Sequence, residues 1–340
     1  MPYPHSIRLR GPWQFEPQCR YLAGADGQVA ESNEDLPAAG RATVPSDWRD
    51  ALGADFRGRV RYRRSFNPPA TLDPHERLWL VVEGVDAYGA VVLNGVRLGE
   101  VEGYAIHRSF DLTRLLGPRN EVTLEVELPG GAVAGRRTLR PGREHLPGGP
   151  IGEVRLEVRS QWFIEGLSVW SATLPEPSFV ATGRIGGEPA STTLAVVISG
   201  CQREMVYVEV GSGEDFEVAF NAGDFPVWTA DRPALAPMEI KLIAGSSAVF
   251  QTQIETGYCP AITGASRFLD EILPASTYAE LDRSGTTIVQ RVPPAWSSEV
   301  CRRLAPHPTI VAWSAGPGET PPSDTLCGRA WVSKAMSDAQ

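Results

Sequence analysis

The residues that could do chemistry in this chain are few and widely spaced. Its five histidines show no H-x-x-x-H spacing and its five cysteines form no C-x-x-C pair, which argues against a metal site and a disulfide framework. No G-x-S-x-G sequence marks an exposed serine nucleophile, although a Ser-His-Asp triad stays open because triads are recognised by geometry. Gly211-Ser212-Gly213 lies between two predicted strands, which is not the setting of a phosphate loop. We therefore predict neither a bound metal nor a cofactor.

Short apolar stretches separated by turn residues predict a mainly β protein. Leu78–Glu83, Ala90–Leu93 and Val122–Val126 are rich in β-forming residues. Asn94-Gly95 follows the second stretch, and this dipeptide is typical of a two-residue hairpin turn because both central positions need a positive φ. Several short strands with turn signals between them indicate an antiparallel sandwich.

The same region carries a family resemblance over residues 1–160. The matching runs are Gly11-Pro12-Trp13-Gln14-Phe15, Val44-Pro45-Ser46-Asp47-Trp48, Tyr62-Arg63-Arg64-Ser65-Phe66, Gly84-Val85-Asp86, Val91–Gly95, Leu98-Gly99, Phe110-Asp111-Leu112-Thr113 and Asn120. They resemble the amino-terminal jelly-roll, a galactose-binding-like sandwich, of family-2 glycoside hydrolases. That family includes β-galactosidases, β-glucuronidases and β-mannosidases, so the resemblance implies a sugar-binding-like first domain.

Residues 161–258 are predicted to form an immunoglobulin-like β-sandwich. Its predicted strands are Thr193–Ile198, Met205–Val210, Phe216–Phe220, Met238–Ala244 and Ala248–Ile254. Trp228 lies in a stretch that is similar to a Trp-x-x-x-x-Pro-x-Leu segment of the family, and we expect it to pack inside the domain.

Residues 259–340 resemble the start of the (β/α)₈ barrel that carries the chemistry of the family. Such a barrel needs at least about 200 residues, so we predict a short β-α-β remnant and a C-terminal tail. Thr286–Arg291 is a predicted strand and Ser297–Leu304 a predicted helix. His307–Ser314 is similar to the family's His-Pro-Ser-Ile strand.

The family's hydrolytic pair is predicted to be absent. Retaining glycosidases use two carboxyl groups about 5–5.5 Å apart, and the acid/base glutamate of the family ends a Trp-Ser-x-Gly-Asn-Glu motif. Here Trp313-Ser314-Ala315-Gly316 is followed by Pro317-Gly318, and Glu319 comes one position late on a Pro/Gly-rich turn. The family's nucleophile lies many tens of residues further on and has no counterpart before Gln340. We therefore expect no glycoside hydrolysis.

Charge and hydropathy exclude two classes of partner. The net charge is −9, which argues against nucleic acid because phosphate binding needs clustered positive charge. The sequence contains no run of 18 apolar residues, so we expect no membrane span. Residues 1–10 lack the apolar core of a signal peptide. We predict a cytoplasmic protein and leave its oligomeric state open.

The resemblance also predicts a ligand cleft. Three segments align with the rim of the family's sugar pocket, namely Tyr104–Asp111, the loop Arg136–His145 and Trp313–Glu319. Tyr104, Arg108, His145 and Trp313 are the predicted ligand contacts. The aromatic rings would offer apolar faces, and the two cationic side chains would donate to negative charge. Core packing is the alternative for Trp313, and a surface role is the alternative for Arg108.

Three functions remain open at this point. In the first, the scaffold holds a flexible small molecule, polyhydroxylated or polyketide-like, in a reactive conformer without a paired acid and base. A cyclase in natural-product biosynthesis would work in this way. In the second, the protein only binds a carbohydrate or has a structural role, and in the third it keeps residual glycosidase activity. The first is favoured because a pure binding sandwich has no evident use for a barrel fragment.

Overall fold

The computed structural model describes residues 3–23, 29–69, 71–103, 107–130, 147–174, 176–200, 204–223, 225–259, 266–270, 272–273, 275–292, 297–315 and 327–332. The chain divides into two compact units. The first is His5–Val158, and the second is Arg159–Gln340 together with Met1–Pro4. No helix in the described part of the chain is long and apolar enough to cross a membrane.

The described residues of the unit His5–Val158 form antiparallel strands and one short helix. Its elements are β1 (His5–Arg8), β2 (Trp13–Ala23), β3 (Val29–Ser32), β4 (Gly40–Ala42), α1 (Arg49–Leu52), β5 (Gly58–Phe66), β6 (Glu76–Val82), β7 (Tyr88–Leu93), β8 (Val96–Glu102), β9 (Arg108–Asp111), β10 (Asn120–Leu128) and β11 (Val154–Ser160). One sheet has the order β1-β11-β6-β9, and the other has the order β3-β2-β5-β10-β7-β8 with β4 beside β2.

The core of this unit follows from the alternation of side chains along its strands. In β10 every second residue is buried, and Val122, Leu124 and Val126 are at most 1% exposed. Asn94 and Gly95 have φ values of 50° and 83°, as the predicted hairpin turn between β7 and β8 requires. The predicted antiparallel β-sandwich is therefore confirmed.

The second unit begins with two antiparallel sheets. Their strands are β12 (Trp162–Leu174), β13 (Glu176–Gly187), β14 (Leu194–Ser199), β15 (Glu204–Val210), β16 (Asp215–Asn221), β17 (Ala236–Ala244) and β18 (Ser247–Thr256). The sheet orders are β12-β13-β16 and β15-β14-β17-β18. Phe179, Val196 and Ile240 are completely buried in the core that these strands enclose.

A parallel sheet with helices follows in the same unit. Its elements are β19 (Arg267–Leu269), α2 (Ala275–Ser284), β20 (Ile288–Arg291), α3 (Ser297–Leu304), β21 (Ile310–Ser314) and β22 (Trp331–Val332). The strands pair in this order, all in parallel. The predicted β-α-β arrangement is present as β20, α3 and β21, and the short strands β19 and β22 extend its sheet on both sides.

Hydrogen bonds from the antiparallel strands and loops hold this α/β part in place. Ser168 Oγ donates to the carbonyl of Arg302 at 2.7 Å, and Thr256 Oγ1 donates to the carbonyl of Pro306 at 2.9 Å. Trp228, which is 1% exposed, donates its indole N–H to the carbonyl of Asp282 at 2.8 Å. Trp228 thus has the packed structural role expected from the sequence.

Candidate functional site

The parallel sheet has one edge at which the carboxyl ends of its strands meet. In parallel α/β folds the ligand-binding groups collect at this edge, whereas the opposite edge contributes stability. Here the strands end at Leu269, Arg291, Ser314 and Val332. We call this edge, with Asp270 that follows β19, the carboxyl edge, and we treat it as the candidate site.

Arg291 is the cation of the carboxyl edge. It is half-buried at the end of β20 and is paired in register with Ser314, which is 2% exposed. Within the described ranges, Arg291 makes no side-chain hydrogen bond or ion pair. The neighbouring Gln290 points toward α2, so Arg291 points to the other face of the sheet because strand side chains alternate. A guanidinium in this position could bind an anionic or hydroxyl-bearing ligand.

Gln290 holds the end of β20 in place through hydrogen bonds. It is completely buried, and its Oε1 accepts a hydrogen bond from the hydroxyl of Tyr278 at 2.7 Å. Its Nε2 donates to the carbonyls of Leu269 at 3.2 Å and Arg291 at 2.9 Å. The main chain of β20 beside Arg291 is therefore held rigidly. Sequence reasoning missed Gln290, although an amide in the middle of a β-branched buried strand was a usable signal.

A second polar cluster lies at the opposite edge of the sheet. The Asp282 carboxylate, 2% exposed, contacts His307 Nδ1 at 2.6 Å and accepts a hydrogen bond from the main-chain N–H of Thr309 at 3.0 Å. His307 and Thr309 precede β21, so the pair lies at the amino ends of the strands. Its position and its main-chain contact indicate a structural role.

The cysteines in the described part of the chain are poor nucleophiles. Burial raises the pKa of Cys259 to about 11 and raises the pKa values of Cys301 and Cys327 above their ordinary value. The pKa of the Cys19 thiol in the first unit is also raised, again mainly by burial. Since the thiolate is the reactive form, these four thiols are unreactive at neutral pH.

One group of possible metal ligands occurs among the described residues. Asp73, His75 and Glu76 have ligand atoms within 4.8 Å of one another, and the first two side chains are exposed. Glu76 Oε2 also accepts a hydrogen bond from the main-chain N–H of Asp73 at 2.8 Å. This contact closes a surface turn, and nothing in it requires an ion.

Only two of the four predicted ligand contacts are described by the structure. Tyr104 and His145 lie outside the described residues, as do the whole loop Arg136–His145 and the Pro317-Gly318 motif. Arg108 is exposed at the start of β9, in the first unit. Trp313 belongs to the second unit and is completely buried, with the guanidinium carbon of Arg329 5.4 Å from the centre of its ring. Trp313 is thus buried, and its predicted ligand contact, like the predicted cleft, stays a prediction.

Comparison with known proteins supports the fold. Residues 37–162 match the family model described as glycosyl hydrolase 2 galactose-binding domain-like. The comparison with curated proteins gave no match.

Solved structures with a similar fold cover nearly the whole chain. A β-glucuronidase of Bacteroides uniformis superimposes with a TM-score of 0.68 at 15% identity, over 92% of this chain and 47% of its own. The Bifidobacterium dentium β-glucuronidase complexed with coumarin-3-O-glucuronide gives 0.67 at 17%, over 92% and 69%. An FMN-binding β-glucuronidase of Facaelibacterium prausnitzii L2-6 gives 0.68 at 15%, over 98% and 60%.

At these identities the likeness concerns the fold alone, and this chain spans about half the length of the first of these relatives. The family match and the shared fold together confirm the resemblance found in the sequence. The chain carries the galactose-binding-like domain of the family-2 glycoside hydrolases, within a fold that it shares with about half of their length.

Proposed function

We propose that this chain is a non-hydrolytic relative of the family-2 glycoside hydrolases that binds a small anionic or polyhydroxylated molecule at its carboxyl edge. The replacement of the motif's Asn-Glu by Pro317-Gly318 carries this proposal, because it removes the acid/base carboxyl group. Among the described residues that end or directly follow the parallel strands, Asp270 provides one carboxylate, whereas hydrolysis with retention needs two.

Arg291 supports binding at this edge. A half-buried guanidinium without a partner among the described residues can donate to a carboxylate or to sugar hydroxyls without first breaking an ion pair. The rigid strand end beneath it reduces the ordering cost of binding.

Two assays test the proposal. Purified protein incubated with aryl β-glucuronide and aryl β-galactoside should show no turnover near 1 s⁻¹, the lower end of ordinary enzyme rates. Calorimetric titration with D-glucuronate and D-galactose should show binding that Arg291→Gln weakens at least threefold. Arg267→Gln, at the start of β19, is the matched control and should bind as the unmodified protein does. Hydrolysis at an ordinary rate, or equal affinities in the two variants, would contradict the proposal.

The cyclase predicted from the sequence is a more specific form of this function. It would return the bound molecule as a ring, whereas a binding protein would return it unchanged. Mass spectrometry and chromatography of a recovered linear ligand distinguish the two forms.

A further inference from the structure

A groove in the second unit plays no part in the proposed function. It lies where β14 begins and β15 ends, and residues of the segments 189–194 and 209–214 line it. Its volume is about 500 Å³, which is within the range of ligand pockets. Main-chain hydrogen bonds, such as the one from the N–H of Gly213 to the carbonyl of Ile185 at 2.8 Å, hold the turn of the second segment in place. The groove is therefore present without a ligand.

Among the described residues that line the groove, the charged ones are Glu209 and Glu214. Glu209 is exposed near the end of β15, and it makes no side-chain hydrogen bond or ion pair within the described ranges. Glu214 Oε2 accepts a hydrogen bond from the main-chain N–H of Gly211 at 3.0 Å, which holds this carboxylate against the turn. Since both charges are negative, the groove attracts cations and repels anions.

The groove also has an apolar part. Leu194 is 1% exposed, and Ala190 and Val210 are half-buried. Lysine and arginine side chains bury their methylene stems on such a surface and keep the charged group at its polar margin. The hydroxyls of Thr192 and Thr193, which make no side-chain hydrogen bond within the described ranges, are additional acceptors. The groove thus suits both the stem and the charged end of a long basic side chain.

The strand that ends at this groove is an edge strand. In the sheet β15-β14-β17-β18, β15 pairs with β14 alone among the described strands. Its other side presents main-chain N–H and C=O groups to a further strand. At the opposite edge, in contrast, the N–H of Gln251 in β18 already donates to the carbonyl of Tyr3. Tyr207 is 55% exposed and lies two residues before Glu209, so both side chains point to the same face of β15.

We propose that an extended segment of a partner protein pairs with β15 and places a lysine or arginine side chain in the groove beside Glu209 and Glu214. In this type of recognition, main-chain hydrogen bonds supply affinity and pockets for alternate side chains supply specificity. The next side chain on the same face of the segment packs on Tyr207. A second copy of this chain is a poorer partner, because each copy carries a net charge of −9 and the copies repel each other.

Peptide titration tests the docking site. The full chain is titrated by calorimetry at low ionic strength with the capped peptide Thr-Thr-Lys-Thr-Thr. A second peptide carries norleucine, which keeps the lysine stem without its charge. The lysine peptide should bind at least about twofold more tightly, as expected of an exposed charge pair, and the difference should shrink as salt is added. Equal affinities, or no binding of the lysine peptide at about 1 mM, would overturn the proposal.

Two variants of the full chain test the position of binding. Glu209→Gln should weaken binding of the lysine peptide at least about twofold and leave the norleucine peptide unaffected. Glu217→Gln is the matched control, because Glu217 is an exposed glutamate on β16 that does not line the groove. It should bind both peptides as the unmodified protein does. Equal effects of the two substitutions on the lysine peptide would refute the site.

Two further ligands distinguish a docked segment from a small cation. A lysine peptide with every amide nitrogen methylated keeps its charge but cannot donate main-chain hydrogen bonds, and it should not bind. Spermidine carries cationic charge without a peptide main chain and should bind more weakly than the lysine peptide. Unchanged binding of the methylated peptide, or spermidine binding as tight as that of the lysine peptide, would show a site for small cations and overturn the docking proposal.

Discussion

At Gly285 the α/β part closely approaches a loop of the sandwich in the second unit. Gly285 ends α2 with a φ of 73°, and a Cβ atom placed there would lie 2.1 Å from the carbonyl oxygen of Ala230. Ala230 follows shortly after Trp228, whose indole bonds the carbonyl of Asp282 in the last turn of α2. The close approach of this loop to α2 therefore requires a residue without a side chain.

Replacing Gly285 by alanine should destabilise the protein by about 3 kcal/mol, because a clash adds to the strain of a positive φ. Gly213→Ala is the matched control, since Gly213 has a φ of 82° and an open environment. The Gly213→Ala variant should lose about 1 kcal/mol of unfolding free energy. Urea unfolding of both variants measures the difference, and equal costs would show that Ala230 moves aside freely.

The thiol of Cys259 should make the free energy of unfolding decrease as the pH rises into the alkaline range. Burial raises its folded pKa from 9.0 to about 11, so the unfolded thiol ionises first as the pH rises. The stabilisation that this raised pKa gives is therefore complete below pH 9 and is lost as the pH approaches 11. The unfolding free energy falls by an amount on the order of 2 kcal/mol over this range. The difference in urea-unfolding free energy between unmodified protein and Cys259→Ala should shrink over this range. A constant difference would mean that the folded thiol titrates normally.

At the scale of elements, the sequence predicted those strands whose apolar residues alternate or form short buried runs. Strands β14 to β18 and helix α3 lie where Thr193–Ile254 and Ser297–Leu304 indicated. Strands β12 and β13 were missed. Strand β12 contains one glycine and β13 contains three. A register shift between Glu165 and Ser168 also breaks the alternation of β12.

The candidate site was predicted less well than the fold. The two-residue strand β22 carries too short a pattern to recognise, and pairing across a parallel sheet depends on crossovers that the sequence does not specify. Arg291 was predicted as the end of a strand. Its lack of a partner among the described residues depends on its neighbours in space. The fold determines these neighbours, so the sequence alone did not predict them.

The α/β part should not fold when it is separated from its sandwich. An open parallel sheet needs cover on both faces, and Trp228, Ser168 and Thr256 supply contacts that residues 259–340 lack. A 259–340 fragment should show no cooperative thermal transition by circular dichroism, whereas a 159–340 fragment should show one. A sharp transition in the shorter fragment would contradict this expectation.

At the scale of the whole molecule, the chain is divided into two units with separate cores. The first unit has its own fully buried side chains, among them Trp13, Leu80 and Leu124. Most of it coincides with the region that matches the galactose-binding-like family model.

A 5–158 fragment should therefore fold alone in a two-state transition, as single domains of this size usually do. Its unfolding is measured by tryptophan fluorescence and circular dichroism in urea. Coincident curves are expected, and separate midpoints for the two probes would show that the unit is not independent. Leu124→Ala, in its core, should lower the unfolding free energy by about 2–5 kcal/mol, and Leu115→Ala, at a partly exposed position, should have a much smaller effect.

Tyr3 and Pro4 belong to the second unit although they precede the first unit in the sequence. The carbonyl of Tyr3 accepts a hydrogen bond from the main-chain N–H of Gln251 at 2.8 Å. In terms of topology, the jelly-roll is an insertion near the start of another domain, with His5 and Val158 paired at its two ends. During synthesis the jelly-roll can fold as soon as Val158 has left the ribosome, whereas Tyr3 must wait until Gln251 emerges.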